Sequence, residues 1–144
     1  MRGRSYTLLC VISLALIAWI SPAAAQDKKR IPLESPFAGD YVGKFTFKAS
    51  HPGLGNQKGQ ISFSITARGK VTGEAKNTTI DQTADLKGSV DADGELKLTI
   101  EFPEERYTAK GTVTMTKKGN LRGTLTQYLG KFSVGRIEFD LPPD

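Results

Sequence analysis

From Phe37 to Leu141 apolar and polar side chains alternate in short runs separated by turn residues. The first run is Phe37–Ala49. Tyr41, Gly43, Phe45, Phe47 and Ala49 fall on one face, and Val42, Lys44, Thr46 and Lys48 on the other. A period of two with an aromatic face predicts a half-buried strand. The same phase returns along the chain. Gln60–Arg68 carries Ile61, Phe63, Ile65 and Ala67 inward, and a third strand carries Val71, Gly73 and Ala75. Thr83–Val90 presents Ala84, Leu86, Gly88 and Val90, and Glu95–Phe102 presents Leu96, Leu98, Ile100 and Phe102. Arg106–Thr116 follows with Tyr107, Ala109, Gly111, Val113 and Met115, then Leu121–Leu129 with Leu121, Gly123 and Leu125. No stretch beyond the first 25 residues has a helical period over ten residues.

The eighth run, Phe132–Leu141, changes phase: Phe132 and Val134 share one face, but Ile137, Phe139 and Leu141 share the other. One extra residue reverses a strand's facing, so a bulge is expected at Gly135–Arg136. The connections are short. Asp91-Ala92-Asp93-Gly94 suits a tight hairpin with glycine at positive φ. The expected fold is all-β: a single antiparallel up-and-down meander of about eight strands over 37–144. Closure into a small barrel removes its edges, with an open two-sheet sandwich as the alternative. Five glycines in the inward phase predict strong coiling and a narrow, filled interior.

The N-terminus adds a destination. Arg2 and Arg4 precede the apolar run Leu8–Ile20, then Ser21-Pro22 and the small residues Ala23-Ala24-Ala25. This is the pattern of a secretory signal peptide over residues 1–25. The run is short for a membrane span, and Cys10 sits too early, behind bulky Leu9, for a lipoprotein site. An exported protein, periplasmic or extracellular, is expected. Cleavage removes the chain's only cysteine, so neither a disulfide frame nor a cysteine nucleophile is expected. Removing Arg2 and Arg4 from the 20 Lys and Arg leaves 18 against 15 Asp and Glu, a net charge of +3. That balance is too even and dispersed for nucleic-acid binding. Residues 26–36, with Lys28-Lys29-Arg30 and two prolines, read as a solvated linker.

Gly39-Asp40-Tyr41 at the opening of the first strand resembles the Gly-x-Trp of the calycin group: lipocalins, fatty-acid-binding proteins and avidins. Arg136 on the last strand resembles the arginine that those families pack over that aromatic to close the barrel. The resemblance implies the barrel fold and a Tyr41–Arg136 closure, a cation–π contact of about 0.5–2 kcal/mol. It does not extend to biotin or retinoid binding, because the residues those ligands need have no counterparts here.

Candidate chemistry is sparse. His51 is the only histidine, so structural zinc has no ligand set. It lies in the glycine- and proline-rich loop after the first strand, which belongs at a barrel mouth. His51, Leu54 and Asn56 are therefore the candidate ligand-contacting residues. Asp91-x-Asp93-Gly94-Glu95 has half of a calcium loop and lacks its distal glutamate, so a hairpin turn is the better reading. Glu101, Glu104 and Glu105 cluster at a strand end and read as a solvated tip. No Gly-x-Ser-x-Gly elbow occurs. Asn77-Thr78-Thr79 is a formal glycosylation sequon. No cofactor or metal is expected, and no enzyme. The expectation is a binding module for a small apolar ligand, or for an envelope or extracellular protein or polymer surface. An accessory envelope protein without a ligand is the alternative.

Overall fold

The structure, a computed structural model, describes residues 34–144; the signal-peptide pattern and residues 26–33 lie outside the described residues. Eight strands follow one another: β1 Gly39–Ala49, β2 Gln57–Ile65, β3 Lys70–Asn77, β4 Gln82–Val90, β5 Glu95–Glu101, β6 Arg106–Met115, β7 Leu121–Leu129 and β8 Phe132–Leu141. Each pairs antiparallel with the next, and β8 returns to β1 through Phe45↔Phe139 to Ala49↔Gly135. The barrel is closed, and the two-sheet alternative falls away.

Three connections are built alike and gather at one end, the base. In each, Thr66, Asp91 or Thr116 opens a turn and bonds through its backbone N–H to the carbonyl of the residue four ahead. Its side-chain oxygen accepts that same residue's N–H. The φ of +90° at Gly94 is the left-handed position that such a three-residue loop requires. The turn at Thr66 ends β2 at Ile65 and leaves Ala67, expected inward, exposed. The Asp91 Oδ1 holds the amides of Asp93 and Glu95, so the half calcium motif is a hairpin turn.

The chain before β1 plugs the base. Ser35 N–H donates to the Ala67 carbonyl at 2.7 Å, and Ala38 N–H to Ser35 at 3.1 Å. Phe37 is thereby held under the barrel, 7% exposed, and its carbonyl accepts the Tyr41 hydroxyl at 3.0 Å. Ser35 and Pro36 therefore belong to the barrel rather than to a linker. The C-terminal residues finish the seam: Asp144 N–H donates to the Asp40 carbonyl at 2.9 Å, and Pro143 bridges Tyr41.

This arrangement corrects the expected closure. Tyr41 points inward at the base, whereas Arg136 is exposed and pairs in register with Lys48, seven residues further along β1. At ~3.3 Å per strand residue the two are ~23 Å apart along the strand. Arg136 instead reaches Glu138, at 3.8 Å. Tyr41 is satisfied by backbone carbonyls and needs no cation.

The phase change in β8 is also resolved. Register passes from Gln127↔Gly135 to Tyr128↔Ser133, making Val134 the extra residue. The bulge thus falls one position before the expected Gly135–Arg136. Gly135 serves packing instead, because a Cβ there would collide with the Phe47 ring. Phe132, which the residue pattern put on one face with Val134, is 78% exposed.

Candidate functional site

The interior is packed at the base and hollow at the other end. Leu96, Leu121, Leu141, Val71 and Val113 are fully buried beside the base turns. Phe63 and Phe139 meet edge to face above them, centroids 5.3 Å apart. Beyond this layer a cavity of about 420 Å³ opens. The expected filled interior therefore holds only for the base. Gly73 and Gly88 do let a neighbouring strand's carbonyl oxygen approach where a Cβ would sit, but the coil they permit leaves the other end wide.

The cavity wall is apolar. Phe45, Phe47, Ile61, Leu86, Leu98, Ile100, Leu125 and Ile137 supply it, each from the inward phase of its strand. Such a volume lies in the range of small-molecule sites. The mouth is framed by the connections β1–β2, β3–β4, β5–β6 and β7–β8. These lack the hydrogen-bonding pattern shared by the three base turns. Several bring an apolar side chain to the rim: Leu54, Ile80 and Leu129 line the cavity while remaining 50%, 43% and 41% exposed.

Polar groups form a collar beneath that rim: Gln57, Asn77 and Gln82 on three successive strands, Gln127 across the barrel, and Glu105 with Tyr107 between. Asn77 is the one buried polar residue among the described residues, 5% exposed. Its Oδ1 accepts the amides of Thr79 (3.0 Å) and Ile80 (3.3 Å), bracing the β3–β4 connection. Its Nδ2 donates to Gln57 Oε1 at 2.6 Å. With that nitrogen committed and enclosed, the Asn77 sequon is closed to glycosylation on the folded barrel. The Tyr107 hydroxyl donates to Glu105. That bond, with burial and the nearby negative charge, pushes the phenol up to about 12. Phe102 meets the Tyr107 ring edge on, at 5.8 Å.

Of the expected site residues, only Leu54 reaches the cavity. His51 sits on the same loop, exposed, where its carbonyl accepts the Leu54 N–H at 3.2 Å. Asn56 braces the loop, its Oδ1 accepting the Ala49 N–H at 3.3 Å. Gln57, Gln82 and Gln127 were not singled out in the sequence, and Asn77, Tyr107 and Glu105 only as a sequon, an inward strand residue and part of a strand-end tip, yet a signal was present. Gln57, Asn77, Gln82, Glu105, Tyr107 and Gln127 all continue an inward phase at the mouth end of a strand, where apolar residues would be the rule. Glu105 was read as part of a solvated tip; in the structure it lines the cavity.

Among the described residues no helix is long and apolar enough to cross a membrane. The outer wall is Lys-, Thr- and Glu-rich, the reverse of the apolar outer band of a membrane barrel. No protein-family profile, no curated protein and no solved structure matches the chain.

Proposed function

We propose that this chain is an exported, non-enzymatic carrier whose open half holds one small, mainly apolar molecule. The observation that carries the reading is the division of the interior. A strand pattern that packs the base completely leaves about 420 Å³ of apolar space at the mouth. Cores are normally packed to crystal density, so a void of this size needs an occupant to recover the lost contacts. The apolar rim of Leu54, Ile80 and Leu129 offers an entry surface for such a molecule.

The signal-peptide pattern supports export.

The test is native mass spectrometry of Gln26–Asp144, purified from the secreting cell without lipid extraction. A co-purifying mass lost on denaturation supports a carrier. The bare chain mass, together with no binding of N-phenyl-1-naphthylamine, would refute it.

A second reading, docking on an anionic polymer, is favoured by one outer row. Lys70, Ser89, Lys97, Lys110, Thr126, Arg136 and Lys48 are successive register partners around β3 to β1. Lys48 and Arg136 share Glu138, at 3.7 and 3.8 Å, whereas Lys97 and Lys110 face one another directly. Salt-sensitive retention on a polyphosphate matrix, lost in Lys97→Glu, would favour this reading.

A further inference from the structure

We infer that the mouth collar selects an uncharged amphiphile, one bearing a hydroxyl or carbonyl oxygen at one end of an apolar body, and rejects carboxylates and phosphates. The inference rests on the carrier reading and assigns the chemical class of its ligand.

Hydrogen-bond bookkeeping at the mouth leads to it. Asn77 Oδ1 takes two backbone amides, so its Nδ2 must be the group facing Gln57. An amide nitrogen can only donate, so Gln57 must present Oε1 to it, at 2.6 Å. The orientation of Gln57 follows from this chain of partners. Its Nε2 is left as a donor at the cavity wall. Gln82 and Gln127 add neutral groups that can donate or accept. The Glu105 carboxylate is the only charged group among the described lining residues; no Lys or Arg lines the cavity, and the adjacent Arg106 is exposed and pairs with Glu101 at 3.1 Å. Lysines near the mouth, such as Lys58 and Lys76, sit in the outward phase of their strands and are exposed.

A ligand anion at this collar would meet a carboxylate and no counter-ion, and desolvating an unpaired charge is costly. An uncharged oxygen meets what it needs. It accepts from Gln57 Nε2, and a hydroxyl can donate to Glu105 or to a glutamine carbonyl. The apolar wall below takes the hydrocarbon. At about 30 Å³ per water-sized group, the cavity accommodates roughly a dozen carbons.

The test compares two probes that share a chain, 1-decanol and decanoate, by isothermal titration calorimetry on the mature protein at pH 8. Both are kept below the concentrations at which they aggregate. Decanol is expected to bind at least tenfold more tightly. Glu105→Gln should raise decanoate affinity at least threefold and leave decanol within twofold, and Gln57→Leu should weaken decanol severalfold. Decanoate binding as tightly as decanol to the unmodified protein overturns the selectivity and leaves the carrier intact. Binding of neither probe overturns both. The comparison on the unmodified chain decides the matter even where a variant folds poorly.

Discussion

Ala75 offers a direct test of whether the mouth half is truly hollow. It lies on the inward face of β3, half-buried, and lines the cavity. Ala75→Ile adds three carbons and suits a strand, because β-branched side chains favour extended backbone. In a packed interior such an insertion costs about 1–3 kcal/mol through displaced neighbours. In a hollow one the added groups find open space and apolar walls. At ~0.8 kcal/mol per fully buried methylene, discounted by about half for the open mouth, the gain is about 1 kcal/mol. The substitution also removes roughly 90 Å³ of ligand space, on about 30 Å³ per added group.

The control is Ala109→Ile, at an alanine that is 0% exposed and does not line the cavity. The pair is compared by thermal unfolding followed by far-ultraviolet circular dichroism. For a domain near 100 residues, 1 kcal/mol moves Tm by about 4–8 °C. Ala75→Ile should raise Tm by a few degrees while weakening binding of N-phenyl-1-naphthylamine. Ala109→Ile should lower Tm by several degrees. If both substitutions lower Tm alike, the interior is packed throughout and the carrier reading loses its basis.

Other outcomes follow from the same geometry. Phe37→Ala empties the base plug and should cost about 3–5 kcal/mol, the range for a buried phenylalanine, read as a Tm drop above about 10 °C with the circular dichroism shape retained. Tyr107 should ionise near pH 12 by absorbance at 295 nm, and Glu105→Gln should bring it down toward the ordinary tyrosine value of 10.0. Because the folded-state value is raised, the associated stability is complete below pH 10 and is lost as pH rises toward 12; a flat denaturation midpoint from pH 9 to 12 would contradict the assignment. Lys110→Glu places an anion opposite Lys97 and should stabilise by about 0.2–1 kcal/mol, the size of a cross-strand charge pair, measured as a rise in urea midpoint. An unchanged or lowered midpoint would mean that the two lysines already splay apart.

Most of the barrel was legible because burial on one face forces a period of two, and that period survives in the residue string. The Asp91–Gly94 turn was legible for a related reason: Asp followed by a glycine suited to positive φ, between two alternating runs, has few other uses. The bulge was visible as a phase error between Val134 and Ile137, but its position was not. Gly135 looked like its hinge, whereas the demand at Gly135 comes from the Phe47 ring on β1, a contact no local pattern reveals. The Tyr41–Arg136 closure failed for the same reason. Local likeness matched both residues to a motif, and the strand register put them at opposite ends. The cavity was hidden because inward glycines are equally consistent with a tight interior and with strong coiling around an open one. Only the placement of neighbouring side chains separates the two.

The two ends of this barrel therefore answer different demands. At the base, three similar turns, the Phe37 plug and the C-terminal seam are tied by backbone hydrogen bonds, and five of the six largest fully buried side chains gather there. Stability can be concentrated in that half, since closure of the sheet transmits its register to the mouth strands. The mouth is then free to break the rules that the base obeys. It carries glutamines in inward positions, leaves apolar side chains exposed at its rim and encloses unfilled space. Each would be a defect in a core. Together, on the mouth-end tips of the strands and the loops between them, they describe a surface that an apolar molecule with one uncharged polar end can complete. A residue that departs from the inward apolar rule at the base should cost stability, whereas the same departure at the mouth should change what the barrel binds.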